Sequence, residues 1–177
     1  MEIKKIVILG PECTGKSELA EFLAGEFNTA WVPEYAREYL DALNRPYGPE
    51  DLQAIAKGQL SLEDALAPAA NKILVCDTDL YVIKVWSLFK YGYCDAAIIE
   101  SMKQRKYDLY LLTYIDIPWV YDPLREHPDQ REVLYDIYLK EMTSQPVPFV
   151  EIKGDRLQRR KAATEAIKNL IRPLEGI

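Results

Sequence analysis

Five short apolar runs alternate along this chain with stretches whose apolar residues recur at helical spacing. Ile3–Leu9, Thr29–Val32, Ile73–Cys76, Leu109–Thr113 and Pro148–Ile152 are apolar and β-branched without a polar residue at every second place. That pattern predicts strands buried on both faces of a parallel sheet. Between them, Leu19, Phe22, Leu23 and Phe27 share one helical face, as do Leu52, Ile55, Ala56 and Leu60. Pro49, Glu50 and Asp51 place proline and acids in the first turn of that second helix, and Pro68 ends it. Further helices are predicted over Leu80–Lys90, Asp95–Lys106, Asp129–Thr143 and Arg156–Ile171. Strands alternating with helices predict an α/β fold, a three-layer αβα arrangement around a five-stranded parallel sheet.

Composition narrows the class. The 177 residues show no repeat, low-complexity tract or linker, so one domain spanning 1–177 is expected. No segment approaches the ~20 apolar residues of a membrane span. The apolar run Ile6–Leu9 is too short for the core of a secretory signal, and a cytoplasmic protein is expected. Cys13, Cys76 and Cys94 are scattered without metal-ligand spacing and read as reduced thiols. A net charge of −6 argues against a nucleic-acid partner. It leaves room for a small anionic ligand held by backbone amides and a few cations.

Such a site follows the first run. Gly10-Pro11-Glu12-Cys13-Thr14-Gly15-Lys16-Ser17 has glycines where backbone must approach phosphate oxygens. It also has a lysine to reach the β- and γ-phosphates and a hydroxyl for Mg²⁺. Placed between a strand and a helix, this P-loop predicts a nucleoside triphosphate ligand, with phosphates at the helix N-terminus. Asp77 closes the third apolar run, where an acid directed at Mg²⁺ belongs, and Asp79 follows. Asp77 is expected on the metal with Ser17, and Asp79 on the hydroxyls of an acceptor. Glu34 and Arg37 follow the second run, at the sheet edge where ligands bind. Glu34 is a candidate to accept a proton from an attacking hydroxyl, and Arg37 to contact the incoming phosphate. The segment 115–131, with three prolines, Trp119 and Asp122, is expected to be a lid that excludes water, with Arg125 and Arg131 as candidates to stabilise the charge of phosphoryl transfer. Trp86 reads as core and His127 as exposed, while Arg156, Arg159, Arg160 and Lys161 read as a solvated helix face. Lys153-Gly154-Asp155 gives a weak signal for backbone passing close to an adenine ring.

The segments "GPECTGKS", "PEYAREYL", "NKILVCDTDLYVIKVW" and "DIPWVYDPLR" stand in the order and spacing of the ribosylnicotinamide kinase domain of the NadR family, which the chain resembles over nearly its whole length. The resemblance implies a P-loop kinase that moves the γ-phosphate of ATP to the 5′-hydroxyl of nicotinamide riboside. It implies Lys16 and Ser17 on phosphate and Mg²⁺, and Asp77 and Asp79 on metal and ribose. Glu34 and Arg37 match the Glu-Tyr-x-Arg-Glu segment, and Trp119, Asp122 and Arg125 match the lid. Where some relatives have a tryptophan before that segment, this chain has Pro33, with Trp31 two places earlier. Full-length family members add a nucleotidyltransferase domain and sometimes a DNA-binding helix-turn-helix, and neither is expected here. A nucleotide-binding regulator is the second reading; a GTPase is disfavoured because no Asn-Lys-x-Asp run follows a strand.

Overall fold

The structure, a computed structural model, describes residues 2–172. The five runs form one sheet, with strands β1 (Lys4–Leu9), β2 (Trp31–Val32), β3 (Ile73–Asp77), β4 (Leu109–Thr113) and β5 (Phe149–Ile152). Every pairing between them is parallel, in the order β2-β3-β1-β4-β5. The predicted α/β three-layer fold is the fold observed. β2 is shorter than the run suggested: Thr29 instead bonds the Ile73 carbonyl and the Asn71 amide through its hydroxyl, holding the strand's approach.

Alternate residues of the central strands feed two cores. Ile6, Ile8, Ile73, Val75, Leu109 and Leu111 pack under α1 (Lys16–Glu26) and α7 (Arg156–Ile171). Val7, Leu9, Leu74, Cys76, Tyr110 and Leu112 face α4 (Leu80–Tyr91) and α6 (Arg131–Ser144). A third apolar cluster ties α2 (Tyr35–Ala42), α3 (Pro49–Leu66), α4 and α5 (Ala96–Gln104) beyond that second layer. Among the described residues, no helix is long and apolar enough to cross a membrane.

The register sets up the sheet edge. β1 lies between β3 and β4, with Ile8 opposite Asp77 and Leu9 opposite Leu112, so the loop after β1 is flanked by the ends of both neighbours. Gly10, at φ +145°, lies so close to β4 that a Cβ there would sit 2.5 Å from Thr113 Oγ1 and 2.7 Å from its carbonyl oxygen. Any side chain would push the loop off the strand end.

The second layer is fixed by polar anchors. Asp51 is buried in the first turn of α3 and accepts from both terminal nitrogens of Arg45, the Tyr39 hydroxyl and the Gly48 amide. The guanidinium and these donors hold its carboxyl well below the usual carboxylate range. Gln59 donates to Pro33 O and accepts from Tyr35 N, fixing the bend at the start of α2. Gly58 gives the Tyr35 ring a flat place on α3: a Cβ there would lie 1.9 Å from a ring carbon. A glycine in a helix interior ordinarily costs up to about 1 kcal/mol against alanine. Here Gly58→Ala is expected to destabilise by about 1 to 3 kcal/mol through overpacking, measured by urea denaturation; a stabilised variant would contradict this packing.

Candidate active site

The site is built on the carboxyl edge of the sheet. The loop Gly10–Gly15 leads into α1, with Cys13 and Gly15 in left-handed backbone at φ 55° and 77°. The buried Thr14 hydroxyl donates to Pro11 O at 2.8 Å and pairs with Thr113 Oγ1 at 2.7 Å, stitching the loop to β4. Lys16 Nζ donates to Pro11 O at 2.8 Å across the mouth of the loop. Two loop carbonyls are taken by arginines: Arg131 reaches Cys13 O and Arg159 reaches Thr14 O.

Ser17 and Asp77 meet as the sequence expects. The Ser17 hydroxyl donates to Asp77 Oδ2 at 2.5 Å, while the other oxygen of this buried carboxylate, Oδ1, has no hydrogen-bond partner among the described residues. Burial raises the Asp77 pKa to about 6, helped by the nearby charge of Glu34 and opposed by Lys16 and the Ser17 bond. A buried carboxylate with one free oxygen beside a hydroxyl, below a phosphate cradle, is a donor set suited to a hard cation such as Mg²⁺ that takes its other ligands from phosphate and water.

One cavity of about 510 Å³ runs from the loop across the edge. Lys16, Ser17, Glu34, Arg37, Arg45 and Arg125 line its polar part, and Tyr47, Trp86 and Phe89 its far wall. Glu34 stands at the N-terminus of α2, opposite the end of β3. Arg37 is held by Asp122 of the 114–130 segment at 3.1 Å.

That segment lies over the loop and is bound to it in several places. The Glu12 carboxylate accepts from the amides of Glu126 and His127, and the Val120 amide donates to Cys13 Sγ. At the far wall, Tyr47 donates to Glu126 at 2.7 Å and accepts from Trp86 Nε1 at 3.0 Å, while Lys90 pairs with Glu126.

Several sequence expectations change. Asp79 does not line the cavity: it is a buried N-cap of α4, accepting from the Tyr81 amide through one oxygen and the Tyr110 hydroxyl through the other. Burial raises its pKa to about 7 against those bonds. Trp119 is absent from the cavity wall too and lies against Arg131 and Arg125, whose guanidinium carbons are 5.7 and 6.0 Å from the ring centre. Asp122 reaches the cavity only through Arg37. Trp86, read as core, does pack against the third apolar cluster but also lines the cavity, where Val82, Val85 and Phe89 of the same helix join it. Trp31 packs into the opposite core, under α1 and α7. His127 is largely covered, its ring edge-on to Phe89 at 5.0 Å.

The solvated face expected of α7 fails at Arg159, which is only 5% exposed. Arg156 does lie outside, paired with Glu18 of α1, while Arg160, which shares that partner, is half-buried over the Phe22 ring. A signal was present in the spacing, since Arg159 stands four residues before Ala163 and eight before Ile167 on the buried stripe. Arg45 and Tyr47 belong to no motif, and nothing in the sequence marked them. The Gly154 amide donates to Asp116 at 2.5 Å, so that turn is fastened to the segment after β4.

A family model described as an AAA domain matches residues 5–160. The trifunctional NAD biosynthesis/regulator protein NadR of Salmonella typhimurium (strain LT2) is 28% identical over 160 residues, covering 85% of this chain and 38% of the relative. The chain thus spans well under half the length of that curated relative. A crystal structure of NadR protein in complex with NR superposes with a TM-score of 0.76 at 23% identity, over 98% of this chain and 54% of that one. Thymidylate kinase from Candida albicans superposes with a TM-score of 0.68 at 15% identity, over 94% of this chain and 91% of that one. These superpositions establish a shared fold.

The position of Asp79 has a measurable consequence. Asp79→Asn, which can still cap α4 through its amide oxygen and can donate its NH₂ to the Tyr110 hydroxyl oxygen, is expected to stay within about 1 kcal/mol of the parent. Asp79→Ala loses the cap and strands the Tyr110 hydroxyl, an expected cost of about 2 kcal/mol or more. Urea denaturation of both variants measures this; equal losses in the two would contradict the capping role.

Proposed function

The chain belongs to the AAA domain family, and from that premise we propose that it is an ATP-dependent phosphotransferase acting on the primary hydroxyl of a nucleoside, with nicotinamide riboside as the acceptor. The observation that carries this reading is the continuity of one cavity from the phosphate loop, past Glu34 and Arg37, to the aromatic wall of Tyr47, Trp86 and Phe89. A nucleotide-only switch needs the first end and has no use for the second. An aromatic wall suits a planar heterocycle. The resemblance to NadR, one of whose structures is a complex with NR, favours a pyridine riboside among nucleosides.

The chemistry follows from the placements. The acceptor hydroxyl oxygen forms a bond to the γ-phosphorus as the bond between that phosphorus and the β–γ bridging oxygen breaks; ADP leaves, and the hydroxyl proton passes to the Glu34 carboxylate. Gly10, Pro11, Glu12, Cys13, Thr14 and Gly15 form the donor side, with Lys16 on the β- and γ-phosphates. Ser17 and Asp77 would hold Mg²⁺, which when bound offsets the charge of the phosphates. Arg37, steadied by Asp122, and Arg125 place positive charge where the transferring group becomes most anionic. Trp119 supports this from behind by packing on Arg125 and Arg131. The segment 114–130 acts as the lid that keeps water from competing with the acceptor.

Production of ADP from ATP and Mg²⁺ is the test, with nicotinamide riboside, nicotinate riboside, uridine and thymidine as acceptors. Turnover confined to the pyridine ribosides and lost in Lys16→Ala is expected. Turnover with another nucleoside alone would move the acceptor, and ADP independent of every acceptor would contradict the kinase. Glu34→Gln is expected to lower turnover by at least about 100-fold while ATP affinity stays within a factor of about three; unchanged turnover would remove Glu34 from the mechanism.

A further inference from the structure

The Arg159 side chain makes three of its four hydrogen bonds to backbone carbonyls. Nε donates to Gly154 O at 2.8 Å, one terminal nitrogen to Thr14 O at 2.8 Å, and the other to Tyr114 O at 2.8 Å and to the Asp116 carboxylate. A single buried side chain thereby ties three pieces of chain: the phosphate loop, the start of the 114–130 segment just after β4, and the turn between β5 and α7. The guanidinium is always charged and presents its donors in a rigid fork, so the grip has one geometry. Its backing is equally fixed. Asp155 and Gln158 exchange bonds in a capping box at the start of α7, and Ala163 and Ile167 below are fully buried.

The carbonyl held in the loop matters for phosphate. Every described peptide bond is trans, and in a trans peptide the N–H points opposite to the preceding C=O. Holding Thr14 O on the α7 side therefore turns the Gly15 N–H the other way, toward the concave side of the loop. Arg131 does the same one residue earlier by holding Cys13 O, which turns the Thr14 N–H. A cation on the carbonyl also polarises the peptide and strengthens its N–H as a donor to an anion.

We propose that Arg159 is a positioning residue for the phosphoryl donor, acting on the polyphosphate through the Thr14–Gly15 peptide. The inference rests on the reading of the loop as a triphosphate cradle and adds a residue outside the loop that sets its affinity. Arg159 makes no contact with the acceptor end, so its effect is on donor binding alone.

Isothermal titration with ATP and with inorganic tripolyphosphate, on the wild type and Arg159→Lys, tests this. Lysine keeps the charge but cannot hold several carbonyls at once. The expected result is a rise in Kd of about tenfold or more, by the same factor for both ligands, with the acceptor KM unchanged within a factor of about two. Asp116→Asn leaves the three carbonyl bonds in place and is expected to stay within about threefold of wild type. A loss for ATP but not tripolyphosphate would place the effect on the nucleoside side, and a lowered Tm with unchanged binding would make Arg159 merely structural; either overturns the inference. Wild-type protein that binds neither ligand overturns the cradle reading and the inference with it. If Arg159→Lys does not fold, proton–nitrogen NMR of the wild type decides: the Gly15 amide must shift strongly on adding tripolyphosphate, and one that does not respond overturns the proposal.

Discussion

The orientation of a few peptide planes after β1 is the constraint on which the rest of this molecule depends. A loop can cradle phosphate only if its amides converge, and amides converge only if something else takes the carbonyls. Thr14 and Lys16 take the Pro11 carbonyl from within the loop, Arg131 takes that of Cys13, and Arg159 that of Thr14. The sheet supplies the frame: β1 ends between β3 and β4, and Gly10 passes Thr113 with no space for a side chain. Helices α6 and α7, far along the chain, reach back to the loop through one arginine each.

The same economy explains how an acidic chain makes a site for anions. Its net charge is −6, yet Lys16, Arg37, Arg45 and Arg125 all face the one cavity. Each exposed cation except Lys16 is held by a carboxylate or carbonyl outside the cavity: Arg37 by Asp122, Arg45 by Asp51, Arg125 by Val120 O. In the proposed transfer, fixing the arginines in advance would reduce the reorganisation needed when charge develops on the transferring group. Asp77, buried beside Ser17, has its pKa raised first by that burial and then by the nearby charge of Glu34.

Local signals in the sequence covered the fold well and the site unevenly. Parallel strands buried on both faces and amphipathic helices leave patterns that any register preserves, so all five strands and the major helices were legible. The loop was legible because phosphate demands specific residues at fixed spacing. Ser17 and Asp77 were legible together because a P-loop and a strand-ending acid imply each other. Long-range choices were not. Asp79 shares its signal, an acid just after a strand, with an ordinary helix cap, and only the position of the Tyr110 hydroxyl separates the two. Trp86 lies on an apolar stripe that looks the same whether it meets core or cavity. Arg159 sits in a run of four cations, and its burial depends on a gap between α7 and the loop that no neighbouring residue in the sequence reports. Arg45 and Tyr47 enter the cavity because Asp51 and Glu126 pull them there, contacts that span from 6 to 79 positions.

The proposed reaction carries a phosphoryl group across this cavity from ATP to a riboside hydroxyl. Mass spectrometry of products formed from nicotinamide riboside and ATP labelled with ¹⁸O at the three non-bridging γ-oxygens is its sharpest test. A riboside monophosphate carrying all three labelled oxygens is expected, its ester oxygen unlabelled and derived from the riboside. Label found only in inorganic phosphate, with the riboside unchanged, would contradict it.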